Sequence, residues 1–183
     1  MVPTPRCSNH IPDNIRWQPP PHNTVKINFD GSVKSGSASS GFIFRDSLGQ
    51  PILASTTNSG STTIPTAEAI ALRDSLIAAM DRGLQFIEVE GDSKLVIDAV
   101  NGVSHPPWKL RKIITDIRSL VASFSTITFK HVFRKANFAA DSVTKLGHTS
   151  SDRIWWVNCF PPTVSRAILF DTVNCGGPRG LSI

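Results

Sequence analysis

The chain has 183 residues, 40% of them hydrophobic, with a mean hydropathy of −0.04 and a formal charge of +5. That size fits one domain with short extensions. The longest apolar runs fall well short of the roughly 18 residues of a membrane span, no secretory signal is visible, and Cys7, Cys159 and Cys175 are too few and scattered for a disulfide framework or a zinc site, which leaves an intracellular setting.

Residues 1–22 are rich in Pro, Asn and Ser and end in Pro19-Pro20-Pro21, so they read as a leader with little regular structure, anchored by Trp17. From Thr24 the text changes. Val25, Ile27 and Phe29 alternate with Lys26 and Asn28, the period of a half-buried strand. Gly41–Arg45 and Pro51–Thr57 read as two more strands, with Asp46-Ser47-Leu48-Gly49 as the turn between them. Ala69, Leu72, Leu76 and Met80 then recur at helical spacing, with Thr63 or Thr66 as cap, Pro65 in the first turn and Gly83 as the stop. Phe86–Glu90 is a short strand, and a helix over about Ser93–Asn101 follows it, closed by Gly102.

After the break at His105-Pro106-Pro107, the residues Leu110, Ile113, Ile114, Ile117, Leu120, Val121 and Phe124 form one apolar stripe, with Lys109, Arg111, Lys112 and Arg118 off it. Ile127–Phe133 is the last strand. Asn137–Leu146 is the last core helix, with Asn137 as cap and Gly147 as stop. Three short-linked strands favour an antiparallel meander, and helical crossovers before the fourth and fifth strands favour parallel pairing there. The expectation is an α/β domain over residues 23–148, a mixed five-stranded sheet flanked by helices. Residues 149–183 read as an extension in which Ile154-Trp155-Trp156-Val157 and Phe160 dock as an apolar patch, while Pro161-Pro162 and Cys175-Gly176-Gly177-Pro178 argue against a second domain.

The charge is unevenly spread. Residues 1–104 hold 8 Lys and Arg against 10 Asp and Glu, whereas residues 105–148 hold 8 against 2. A basic segment beside an acidic one suits a polyanionic substrate, although a solvated helix face has the same composition. Four acidic residues interrupt apolar text at strand ends or helix starts: Asp30 in VKINFDGS, Glu68 in TAEAIAL, Asp92 in FIEVEGDS and Asp141 in NFAADSVTKL. An isolated buried carboxylate costs several kcal/mol unless it is paired or binds a metal. Taken singly, each has a structural role open to it, as an N-cap or as a charge at a helix N-terminus. Four of them in this element order point to a hard-cation site and metal-assisted phosphodiester hydrolysis.

The blocks KINFDGS, SGFIFRDSLGQPILA, AEAIALRDSLIAAMDRG, IEVEGDSKLVIDAV and FKHVFRKANFAADSVTKLG occur in an order that resembles a type 1 ribonuclease H domain, in the retroelement-derived form abundant in plants. The resemblance covers about Val25–Gly147. It implies a ribonuclease H-like fold with strand order 3-2-1-4-5, and hydrolysis of the RNA strand of an RNA–DNA hybrid with two Mg2+ ions, for which Mn2+ can substitute. One ion would activate water and the other would stabilise the leaving 3′ oxygen. Asp30, Glu68, Asp92 and Asp141 match the family's metal-binding set, with Asp30 bridging both ions. His131, ten positions before Asp141, matches the family's mobile catalytic histidine. A surface strand histidine is the alternative. Gly31, Ser32, Ser93, Arg134, Lys135 and Asn137 are the implied nucleic-acid contacts.

The sequence also departs from the family. Ile64 and Pro65 stand where many members carry polar residues before the Glu, and no long basic loop precedes the Trp108 helix. The apolar pair before Glu68 keeps open a non-catalytic nucleic-acid-binding or protein-interaction module on the same fold, and a fragment of a retroelement polyprotein, working only beside a reverse transcriptase, is a third reading. No membrane partner is expected, and protein partners cannot be read from the sequence.

Overall fold

The computed structural model describes residues 15–173. Most of the leader, with Cys7, and the Cys175-Gly176-Gly177-Pro178 stretch lie outside the described residues. The elements in chain order are β1 (Val25–Lys34), β2 (Ser37–Arg45), β3 (Pro51–Gly60), α1 (Ile64–Asp81), β4 (Phe86–Gly91), α2 (Lys94–Val100), α3 (Arg111–Val121), β5 (Thr126–His131), α4 (Phe138–Leu146), β6 (Ile154–Val157) and α5 (Pro162–Val173).

The sheet runs β5-β4-β1-β2-β3-β6. β1, β2 and β3 form the expected antiparallel meander, and β4 pairs in parallel with both β1 and β5. β1 and β2 extend further than alternation suggests, to a two-residue turn at Ser35 and Gly36. Both turn residues have positive φ, at 51° and 80°, the geometry of a tight hairpin. The sheet has one strand more than expected. The Ile154–Val157 run docks by pairing antiparallel with the outer edge of β3, Thr56 facing Ile154 and Leu53 facing Val157. An edge strand offers unpaired N–H and C=O groups, and a short aromatic and β-branched run satisfies them. α5 is an element that the sequence reading leaves unassigned. Pro162 is its first residue, where the missing N–H is not needed.

One face of the sheet is apolar. Ile27, Phe29, Ile87 and Val89 pack with Leu72 and Leu76 of α1, Val96 and Ile97 of α2, and Ile114 and Ile117 of α3. On the other face Ile43 and Ala54 pack with Ala139, Ala140 and Val143 of α4 and with Val164, Ala167 and Ile168 of α5. Beside that second core lies a buried polar layer. The alternation of β1 suggests a half-buried strand, yet Lys26 and Asn28 are as enclosed as Ile27 and Phe29. Lys26 pairs with Glu88 at 2.7 Å and Glu90 at 2.6 Å. Arg45 donates to Asp171 of α5 and to Asn28 Oδ1, both at 2.8 Å, and its guanidinium lies 3.7 Å from the ring centre of Trp17. The Trp17 indole N–H donates to the same Asn28 oxygen at 2.9 Å, so Trp17 anchors the leader as expected.

The Arg45–Asp171 pair is fully enclosed. Burial raises the Asp171 carboxyl above its usual range, with Arg45 pulling it back. Removing one member of such a pair strands the other charge. Asp171→Ala is therefore expected to cost about 3–5 kcal/mol in urea denaturation, and Arg45→Met with Asp171→Leu to recover most of that loss. Equal stability of the wild type and the single variant would mean the pair contributes nothing.

Candidate active site

Strand register places the first two carboxylates. Phe29 of β1 stands opposite Gly91 of β4 in the parallel pair, so Asp30 and Asp92 follow one step later at the same sheet edge. In β5, His131 stands opposite Gly91 and reaches that edge too. Glu68 comes from the first turns of α1, which presses on β1 where there is no side chain. A Cβ on Gly31 would overlap the backbone of Ala67 and Glu68. α4 brings Asp141. It is seated by Thr144, whose hydroxyl lies 3.1 Å from the Asp30 carbonyl, and by Gly41, where a Cβ would come within 2.8 Å of the Thr144 Cα.

Asp30, Glu68 and Asp92 each bring a carboxylate oxygen into a group whose members all lie within 4.8 Å of one another. Asp141 is outside that group. Its carboxylate is held by Arg134 at 2.8 Å and Lys145 at 2.5 Å, while its charge still acts on Asp30. Burial, then the charges of Asp92 and Asp141, push the Asp30 carboxyl from 3.8 up to about 7, with Thr144 and Arg134 acting the other way. Burial, then Asp30 and Asp92, also hold Glu68 well above its ordinary range, against a hydrogen bond from the Gly31 N–H. Asp30 Oδ2 and Glu68 Oε2 are buried and have no hydrogen-bond partner. An all-oxygen set with crowded charge and orphaned acceptors is the donor chemistry a hard divalent cation requires, so these residues fit one.

The other expected site residues divide. His131 is exposed, with Nε2 3.2 Å from the Asp92 carbonyl oxygen and its ring edge-on to Phe133. Asn137 stands at the N-cap position of α4 but makes no capping bond. It is buried, and its amide donates to the Phe29 carbonyl at 2.8 Å and to Asp92 Oδ1 at 3.4 Å, tying the two strand ends together. Neither Thr63 nor Ser93 caps its helix through the side chain. Gly31 is enclosed beneath α1, Arg134 and Lys135 are exposed, and Ser32 Oγ lies 2.7 Å from His148 Nε2. Sequence reasoning missed His148, which is 116 positions from Ser32 and carries no local signal. It also missed Lys145 as the partner of Asp141, although the i,i+4 spacing is legible.

A mixed sheet of this order, with carboxylates gathered where its central parallel strands end, defines a type 1 ribonuclease H-like domain. The chain belongs to the reverse transcriptase-like family, whose sequence model matches residues 28–147. It is 26% identical over 170 residues to an Arabidopsis thaliana protein described as a ribonuclease H protein, a match that spans 90% of this chain and 27% of the relative's length. Among solved structures it resembles RNase H1 of the archaeon Halobacterium salinarum, with a TM-score of 0.65 and 29% identity over 69% of this chain and 98% of the other. It also resembles the N-terminal RNase H domain of a Mycobacterium tuberculosis protein, with a TM-score of 0.66 and 25% identity over 70% of this chain and 95% of that one.

Because folding raises the Asp30 pKa, the folded state favours its protonated form. That stabilisation is complete below about pH 4 and is lost as pH rises toward about 7. In chelator, Asp30→Asn is therefore expected to stabilise the protein by about 4 kcal/mol at pH 8 and to leave it unchanged at pH 4, as read from urea midpoints. The same change at both pH values would contradict this picture of Asp30.

Proposed function

We propose that residues 23–148 form a divalent-metal-dependent nuclease, in an intracellular protein, that hydrolyses the RNA strand of RNA–DNA hybrids. The observation that carries this reading is the Asp30, Glu68 and Asp92 oxygen cluster, with two buried oxygens lacking partners, at the end of the parallel strands. Its place on an RNase H-like sheet, and the ribonuclease H names of the similar proteins, supply the substrate class.

Asp30, Glu68 and Asp92 are the residues to hold Mg2+ or Mn2+, with Asp141 completing the set once it turns from Arg134 and Lys145. Bound there, such cations supply Lewis acidity that activates water and stabilises a leaving oxygen. The chain's own residues do the rest. Asn137 fixes the Asp92 carboxylate against the end of β1, and Thr144 holds the Asp30 backbone under α4. His131, exposed beside the Asp92 carbonyl, is placed to pass a proton to or from solvent. Arg134 neutralises the acidic edge in the metal-free protein, and its exposure leaves it free to exchange Asp141 for a phosphate oxygen. Lys135, likewise exposed, extends the same positive fringe.

The test is cleavage of a labelled hybrid in Mg2+. Asp92→Asn and Asp30→Asn are each expected to lower the rate by more than about 100-fold, beyond the 10–100-fold typical of groups that only orient a metal ligand. A well-folded wild type that binds the hybrid without cleaving it would instead establish the non-catalytic module. In a binding titration over salt, Arg134→Ala with Lys135→Ala should weaken binding alike on all hybrid sequences and reduce the log–log slope by about 1 for each phosphate no longer neutralised. An unchanged slope would remove these two residues from the interface.

A further inference from the structure

The apolar stripe of α5 is fully used. Val164, Ala167, Ile168 and, beyond them, the ion-paired Asp171 all face the protein. Phe170 lies off that stripe. The residue is 47% exposed, and its ring meets that of Phe138, a residue 38% exposed, at 5.1 Å between centres, tilted by 56°. Neither ring belongs to a core cluster. Phe138 opens α4, three residues before Asp141, so the two are neighbours on one side of that helix. Two cations meet one carboxylate near Phe138 in the chain, and a further cation lies on α5: Arg134 and Lys145 both reach Asp141, and the exposed Arg166 stands one turn before Phe170.

We propose that Phe138 and Phe170 form a stacking platform for unpaired nucleobases, on which a single-stranded continuation of the nucleic acid rests while its paired part lies over the carboxylates. This rests on the hybrid-nuclease reading. Two observations favour nucleic acid over a protein occupant: Phe138 shares a side of α4 with Asp141, which Arg134 and Lys145 both hold, and the exposed Arg166, one turn from Phe170, complements a polyanion. Aromatic rings receive any base by its face, so the platform would hold single strands with little sequence preference. Phe170 lies on α5, beyond the 28–147 segment shared with the family, so this contact would belong to the part of the chain outside the family's common core.

The experiment compares binding of two duplexes by the full chain: a blunt RNA–DNA hybrid, and the same hybrid carrying a short unpaired tail, placed at each end in turn. For the wild type, a tail at one end is expected to tighten binding about tenfold, the order of one stacked base. Phe170→Tyr, which keeps an aromatic face, should retain that gain. Phe170→Leu, which keeps an apolar side chain without a ring, should lose it, and Phe138→Leu reads the same property from the other helix should the first variant fold poorly. If the wild type binds the blunt hybrid but gains nothing from a tail at either end, or if both leucine variants keep the gain, the platform is refuted and the nuclease reading stands. If it binds neither duplex, the nuclease reading falls, and the platform with it.

Discussion

Parallel pairing of β1 with β4 sets the position of the acidic groups. Two parallel strands whose side chains are in step deliver their next residues to the same edge, at the same height and on adjacent lines. With Phe29 opposite Gly91, Asp30 and Asp92 have nowhere else to go. Gly91 is itself part of the constraint, because a Cβ there would collide with the Phe29 ring. α1 and α4 then close on this edge from opposite faces of the sheet, each through a glycine that lets backbone meet backbone. Crowding of charge is thus a product of packing. The energy that buries apolar surface elsewhere holds like charges together here, and the Asp30 and Glu68 carboxyls are raised first by burial and then by their acidic neighbours.

The two faces of the sheet solve the burial problem differently. Beneath α1, α2 and α3 the contacts are apolar and interchangeable in kind. On the α4 and α5 side, Lys26, Glu88, Glu90, Asn28, Arg45, Asp171 and Trp17 form a connected set in which each charge has a partner. Such layers contribute little net stability compared with hydrocarbon, because desolvation offsets most of the attraction. What they impose is specificity. Asn28 can accept from Trp17 and Arg45 at once only if the leader, β2 and α5 all reach their native places.

Much of this architecture is legible in the sequence, because period and punctuation are local. The meander, the two parallel strands and the four principal core helices follow from alternation, helical stripes and glycine stops. The five core strands lie in the order that the ribonuclease H resemblance implies. The features that are not legible depend on distant partners. Lys26 and Asn28 look like the solvated side of β1, because Trp17 and Asp171, which cover that side, stand near opposite ends of the chain. Ile154–Val157 has too few residues to declare a strand without knowing that β3 has a free edge. Asn137 is the right residue type for a cap, but a stronger use for its amide lies 108 positions away at Phe29. The four carboxylates can be picked out by their apolar surroundings. That Asp141 is engaged by Arg134 and Lys145 requires knowing where α4 points.

The seat of Arg45 has a consequence for the order in which the protein is made. Synthesis is vectorial, and β2 leaves the ribosome well before α5 does. Until Asp171 emerges, Arg45 lacks the carboxylate it pairs with, and the α4 side of the sheet lacks its outer cover. The hydrated guanidinium therefore resists premature closure of that face while the apolar face under α1 and α3 is already able to collapse. A nascent chain would pass through a half-built stage with one side dry and the other wet. Arrival of α5 would then be the event that commits α4, and Asp141 with it, to its final position.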